Sequence, residues 1–218
     1  MEIYYYGHAA FLLKGSRSVY IDPFLSGNPF ATLSVKRIDT ADVVIVTHDH
    51  GDHMGDAFEI CKKTGAVFVS QHELAVMAEE KGLTAEGMNI GGTISVDNIS
   101  VHMTHALHST QTGHPTGVIV TMDGHAIYHA GDTGLFGDMK LIGEMYQPEV
   151  ALLPIGDRYT MGIVEAVRAV EFLKPAYVIP MHYGTFPIIQ TDPEEFKSQV
   201  GDRATVQILK PGEKFELP

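Results

Sequence analysis

Most of the chemistry this chain offers is concentrated in six consecutive residues. His48, Asp49, His50, Gly51, Asp52 and His53 follow Thr47 in the segment THDHGDH. Imidazole and carboxylate are the side chains that borderline divalent cations such as Zn²⁺ accept as ligands. Residues two apart on an extended backbone project to the same side, so His48 and His50 face one way and Asp49 faces the other. Asp52 and His53 come after the turn that Gly51 permits, and they approach from a different direction. The two pairs therefore suit two adjacent metal ions. A polar loop with chance histidines would not concentrate them directly after an apolar run.

That run is Val43 to Val46, a short continuous apolar stretch of the kind found in strands buried on both faces. The cluster thus falls at the carboxyl end of a core strand, where open α/β sheets place their ligands. A helix is expected from Asp52 and His53 to about Thr64, closed by Gly65.

An H-x-H-x-D-H motif after a hydrophobic strand resembles the signature of the metallo-β-lactamase superfamily, and THDHGDH matches it at every defined position. The resemblance extends over essentially the whole chain. It implies an α/β fold, a four-layer αββα sandwich in a single domain of residues 1–218, with the site between the edges of two sheets. The ligand set it implies is His48, His50 and His108 on one ion and Asp52, His53 and His182 on a second. Asp132, in HAGDTG, would bridge the two. Zinc is the first expectation for both ions, with manganese or iron as alternatives. Segments GDTGLFGDM, PIGDRYTMG and PMHYGTF further resemble a branch of small stand-alone metal-dependent hydrolases, related to the ascorbate-phosphate lactonases and the N-acylphosphatidylethanolamine phospholipase D group.

Several positions need choices. VHMTHALHSTQTGHPTG holds His102, His105, His108 and His114. Strand alternation argues against all four sharing a site, and the superfamily takes one histidine here. In the branch resembled, that histidine precedes a serine, as His108 does, so His108 is the expected ligand and His105 its competitor. His102 and His114 are read as structural or lining the mouth. In YYGHAAFLL, His8 resembles a histidine that lies near the metals in this branch, and it joins Asp52 as a candidate catalytic group. Asp22, in IDPFLSGNP, would be a buried carboxylate bracing the H-x-H-x-D-H loop, and His129 would orient Asp132. Arg158 either meets an anionic group of the substrate or forms a surface salt bridge. His72 is read as a surface residue.

The remaining pattern supplies the scaffold. Residues 2–6, 9–14 and 18–21 read as strands, as do 66–70, several short segments in 88–104, 150–155, 176–180 and 205–209. A hairpin is expected around Asp123-Gly124. Helices are expected over 73–81, 135–146, 163–173 and 193–200.

Composition narrows the function. The 218 residues carry a net charge of −12 with no basic block, which makes a phosphate backbone a poor partner and points to a small-molecule substrate. Cys61 is the only cysteine, so an internal disulfide is excluded and a cytoplasmic setting is expected. No apolar run approaches the roughly 18 residues a membrane span requires. Oligomeric state is not readable.

With two ions, two carboxylates and a hydroxide, the implied site keeps a charge of about +1, suited to a developing oxyanion. The expected reaction is hydrolysis of an ester, lactone, amide or phosphoester by hydroxide bridged between the metals. A metal-dependent nuclease or phosphodiesterase and a non-catalytic metal-binding protein are the alternatives. Asp52 is expected to matter far more than Asp49.

Overall fold

Strands buried along their whole length need apolar cover on both faces, and β4 (Val43–Ile45) and β11 (Val150–Pro154) are of this kind. The computed structural model, which describes residues 1–218, places each near the middle of a seven-stranded mixed sheet. The first sheet contains β1 (Glu2–Tyr5), β2 (Phe11–Lys14), β3 (Ser18–Ile21), β4, β5 (Val67–Gln71) and β6 (Ala85–Met88), with β14 (Lys214–Glu216) added beside β1. The second contains β7 (Thr93–Val96), β8 (Ile99–His105), β9 (Thr116–Met122), β10 (His125–His129), β11, β12 (Tyr177–Met181) and β13 (Thr205–Val206), in the order β13-β12-β11-β10-β9-β8-β7. Each sheet is antiparallel on one side and parallel on the other. The parallel run is β3-β4-β5-β6 in the first and β10-β11-β12-β13 in the second.

Three apolar layers hold the assembly. Residues such as Phe11, Ile21 and Ile45 meet Val101, Val120 and Leu152 between the sheets. Val44 and Phe68, on the outer face of the first sheet, pack with Ile60 of α2 (Ala57–Thr64) and Leu74 of α3 (His72–Glu80). On the outer face of the second sheet, Tyr128 and Leu153 pack with α4 (Met139–Tyr146), α5 (Ile163–Leu173) and α6 (Pro193–Val200). Helix, sheet, sheet, helix is the four-layer αββα sandwich. The parallel strands point their carboxyl ends to one edge, and there β3, β4, β10 and β12 run into the loops bearing Asp22, His48, Asp132 and His182.

Several elements differ from the sequence reading. The helix expected from Asp52 to Thr64 is two: α1 (Gly51–Met54) and α2, broken at Gly55-Asp56. The break has a steric cause. Gly55 has φ +41°, and a Cβ there would lie 2.6 Å from Phe24 Cα and from Pro23 O. The Asp56 carboxylate accepts the Leu25 and Ser26 amides at 2.9 and 2.7 Å, so the Asp22-Pro23 loop is fastened at this break. The helix expected from 135 begins only at Met139, and the strand expected over 205–209 ends at Val206. Strand β14 has no counterpart in the sequence reading, because Lys214, Phe215 and Glu216 give too short an alternation to read without knowing that β1 offers a free edge.

Gly55→Ala is expected to cost about 3 kcal/mol, from left-handed strain and backbone overlap together. The urea unfolding midpoint measures it, and a loss below about 1 kcal/mol would show that the Pro23–Phe24 backbone yields easily.

Candidate metal centre

The site is built outward from Asp22, which is buried and has φ +45°. Parallel pairing of Ile21 with Ile45 brings it beside the end of β4, where its amide donates to Ile45 O at 2.9 Å. Its carboxylate accepts the Thr47 amide at 2.8 Å, the Thr47 hydroxyl at 2.7 Å and His53 Nδ1 at 2.7 Å. The Thr47 hydroxyl proton is thereby committed to Asp22, so the oxygen is left to accept from His48 Nδ1, 3.0 Å away. This network assigns the tautomers: both His48 and His53 hold a proton on Nδ1 and turn Nε2 inward. Asp22 braces the loop as the resemblance implied.

Inward-facing atoms converge from four directions. His48 Nε2 lies 3.0 Å from His50 Nδ1, and His108 Nε2 lies 3.3 Å from the same atom. His53 Nε2 is 3.2 Å from Asp132 Oδ1, while His182 Nε2 and His108 Nε2 are 3.0 and 3.4 Å from Asp132 Oδ2. The potential ligand atoms of His48, His50 and His108 fall within 4.8 Å of one another, as do those of His8, Asp52, His53 and His182, and those of His48, His53 and Asp132. Asp132 is thus the carboxylate common to both halves. His48, His53, Asp132 and His182 are all buried.

Buried polar atoms without a hydrogen-bond partner include His53 Nε2, Asp132 Oδ1 and both ring nitrogens of His182. Such orphans are costly unless something else satisfies them. With the His48 proton held on Nδ1, bare imidazole nitrogens crowd within hydrogen-bonding distance of each other. A donor set of neutral imidazoles and carboxylates with lone pairs facing one another is what divalent cations take up, so these residues fit such ions.

Without an ion, the buried carboxylates draw positive charge onto the cluster, and a proton on His53 supplies part of it. Burial opposes a charge on His53, yet Asp132 and Asp22 on its two sides outweigh burial and raise its pKa well above that of an ordinary histidine. Asp132 is held well below the usual carboxylate range, because His182 and His53 overcome the cost of burying it. Burial pushes His48 down to about 3 and keeps it neutral, as a ligand must be.

His8 stands behind Asp52. Its Nε2 meets Asp52 Oδ2 at 3.1 Å and its Nδ1 meets the Thr185 hydroxyl at 3.0 Å. Burial lowers its pKa to about 4, the Asp52 hydrogen bond notwithstanding, and that bond in turn holds Asp52 ionised against its own partial burial. Its carbonyl accepts the His182 amide at 2.7 Å, so one residue sets both Asp52 and His182.

The remaining histidines separate clearly. His105 packs on Phe136 with ring centroids 4.1 Å apart and takes no part in the cluster. His102 stacks on Tyr146 and meets Thr93 Oγ1 at 2.7 Å, while His114 and His72 are exposed. His129 departs from the expected role: it does not touch the Asp132 carboxylate. Its Nε2 donates to Ala9 O at 3.0 Å and its Nδ1 accepts the Gly131 amide at 3.1 Å, so it shapes the backbone turn instead. That turn needs glycine, since Gly131 has φ +60° and a Cβ there would stand 2.3 Å from Thr116 O.

A cavity of about 290 Å³ opens over the cluster, lined by His50, Asp52, His108, Ser109, Asp132, Tyr159 and His182. Arg158 is exposed beside Tyr159 and does not line it. The sequence assigns no site function to Tyr159, Thr47 or Thr185, and Ser109 serves there only to mark His108. Thr47 sits next to the motif, but its part in linking His48 to Asp22 by hydrogen bonds depends on a residue that lies 25 positions earlier.

Residues 17–183 match the model of the β-lactamase superfamily domain. A UPF0173 metal-dependent hydrolase of Methanosarcina barkeri is 50% identical over 228 residues, covering 100% of this chain and 99% of the relative. One from Methanopyrus kandleri is 53% identical over 230 residues, covering 99% and 100%. Among solved structures, the metallo hydrolase Igni18 from Ignicoccus hospitalis superposes with a TM-score of 0.94 at 44% identity, covering 100% of this chain and 99% of that one.

His108→Ala is expected to lose at least half of the divalent metal retained after desalting, whereas His105→Ala keeps it. Elemental analysis of the two purified variants checks this, and the reverse pattern would overturn the geometry given for this loop.

Proposed function

Because the chain belongs to the metallo-β-lactamase superfamily, among the UPF0173 metal-dependent hydrolases, we propose that it cleaves an ester, lactone, amide or phosphoester in a small molecule at a centre of two divalent ions, zinc first among them. That it is a metal-dependent hydrolase of this fold follows from the family. The finer reading rests on one observation, the convergence of His48, His50, His108, Asp132, Asp52, His53 and His182, with buried atoms of His53, Asp132 and His182 lacking a formed hydrogen bond.

His48, His50 and His108 would hold one ion, Asp52, His53 and His182 the other, with Asp132 between them. Divalent ions held there supply Lewis acidity and make hydroxide available near neutral pH, by lowering the pKa of water from 15.7 to roughly 7. The chain supplies the rest. Asp22 and Thr47 hold the Nδ1 protons of His53 and His48, so that Nε2 is the atom each ring presents to an ion. With Asp52 Oδ2 engaged by His8, Oδ1 is the atom left to bind an ion and orient the nucleophile. Tyr159 and Ser109 are the lining groups outside the proposed ligand set, and we assign them contact with substrate.

The cavity lies at the small end of the range for ligand pockets. Neither Lys nor Arg lines it, and with the net charge of −12 this favours a small substrate over a nucleic acid. No helix is long and apolar enough to cross a membrane. We take residues 1–218 as one domain, since both sheets share a single apolar layer, and place the protein in the cytoplasm, where a lone thiol such as Cys61 stays reduced.

Elemental analysis after purification without added metal should give two divalent ions per chain, and anomalous scattering should locate them on either side of Asp132. A chelator should abolish hydrolysis across an ester, lactone, thioester and phosphodiester panel, with recovery on adding metal. Asp52→Ala should lower kcat by at least about 10²-fold. Cys61→Ala should leave it unchanged, because that thiol is buried on α2 and burial raises its pKa to about 12. Hydrolysis that persists after complete metal removal, or an acyl group trapped on Cys61 or a serine, would overturn the mechanism.

A further inference from the structure

The segment between β8 and β9, residues 106–115, carries His108 and has no regular secondary structure. On the amino-terminal side of His108 it is tied to the Asp132 loop: the Leu107 amide donates to Thr133 Oγ1 at 3.0 Å, and the Gly134 amide donates to Leu107 O at 3.0 Å. Beyond His108 the ties go to the other sheet. Asp49 Oδ1 accepts the Thr110 hydroxyl at 2.6 Å and the Gln111 amide at 2.9 Å, and Gln71 Nε2, at the end of β5, donates to Thr112 O at 2.7 Å. Leu107 itself is 53% exposed, so apolar burial does little to hold the segment.

We infer that Asp49 is a positioning residue for His108, a clamp that sets where this imidazole meets His48 and His50. The alternation that turns His48 and His50 toward each other turns Asp49 outward, onto the strap that brings the third imidazole. Asp49 is therefore not the idle residue of the H-x-H-x-D-H motif that its direction alone suggests. One carboxylate oxygen accepting both a hydroxyl and an amide fixes two successive residues of the strap, one and two positions past Ser109. Partners hydrogen-bonded directly to a metal ligand alter affinity by about 10–100-fold when removed, and Asp49, which reaches His108 through the strap, is expected to act within that range. The effect on affinity rests on the two-ion reading above; the clamp itself does not.

Hydrogen exchange by mass spectrometry on the metal-free protein tests the clamp, and chelator competition with Zn²⁺ tests its consequence. In Asp49→Ala, exchange in peptides covering 106–115 should rise at least tenfold while β8 and β9 stay protected. Affinity for one ion should fall by about 10–100-fold while that for the other stays within about threefold. Asp49→Asn keeps an oxygen that can accept from Thr110 and Gln111, and it should restore most of both. Thr110→Val, which leaves every residue of the motif in place, should fall between. Unchanged exchange over 106–115 in Asp49→Ala would overturn the proposal. So would equal losses in the Ala and Asn variants, which would mean that charge and not the clamp matters. If the wild type binds no Zn²⁺, the reading of the site as a metal centre fails, and the exchange measurement alone decides the clamp.

Discussion

A carboxylate with no access to water must find its donors within the protein, and the Asp22 carboxylate is answered by three. Those donors belong to the end of β4 and to α1, so satisfying Asp22 sets the path of the chain from Thr47 to His53. The tautomers of His48 and His53 follow from the same network, one through the Thr47 hydroxyl and one directly. Removing this carboxylate would leave three buried donors unmatched and free two imidazoles to rotate. The bracing is thus a condition on the fold and on the chemistry at once.

The second constraint is that the candidate ligands come from both sheets, whose facing sides meet in an apolar layer that gives no directional register. At the site edge that layer gives way to polar ties. Thr47 O accepts the Thr116 amide at 3.2 Å and its hydroxyl at 2.8 Å, Ala9 O accepts from His129, and His8 O accepts the His182 amide. Each tie joins a first-sheet loop to a second-sheet strand or loop. They fix the relative position of the sheets where a displacement of an ångström would separate His182 from His53, and the Asp49 contacts extend them across the mouth.

How much of this is legible in the sequence depends on distance along the chain. The β4 strand, the pairing of His48 with His50 and the separate approach of Asp52 and His53 are local, and periodicity shows them. His108 over His105, Asp132 and His182 could be selected through resemblance, because three loops separated by tens of residues have no common periodicity. What escaped both routes is contact-dependent: the Thr47 link, the backbone role of His129, the Asp49 strap and the break at Gly55. Each is set by a neighbour distant in sequence, and a residue's type does not disclose which neighbour it will meet. The expectation of an unbroken helix to Thr64 failed for that reason, since the helical pattern is sound and the Pro23–Phe24 backbone is what interrupts it.

The geometry also carries a conformational cost that the fold must support. His8, Asp22 and His182 all have left-handed φ, at +60°, +45° and +53°. For residues other than glycine this costs on the order of 1–3 kcal/mol each. All three follow directly upon strands or a strand-ending turn, and in all three the backbone is pinned: the Asp22 amide to Ile45 O, the His182 amide to His8 O, and His8 O additionally by the Tyr5 hydroxyl at 3.3 Å. A side chain at positive φ leaves the strand in a direction that neither face of the sheet offers. That departure lets residues at strand ends aim across the gap between sheets and not into either apolar layer. The strain therefore serves His182 and the two residues that brace the cluster: relaxing it to ordinary strand geometry would return those three side chains to a sheet face.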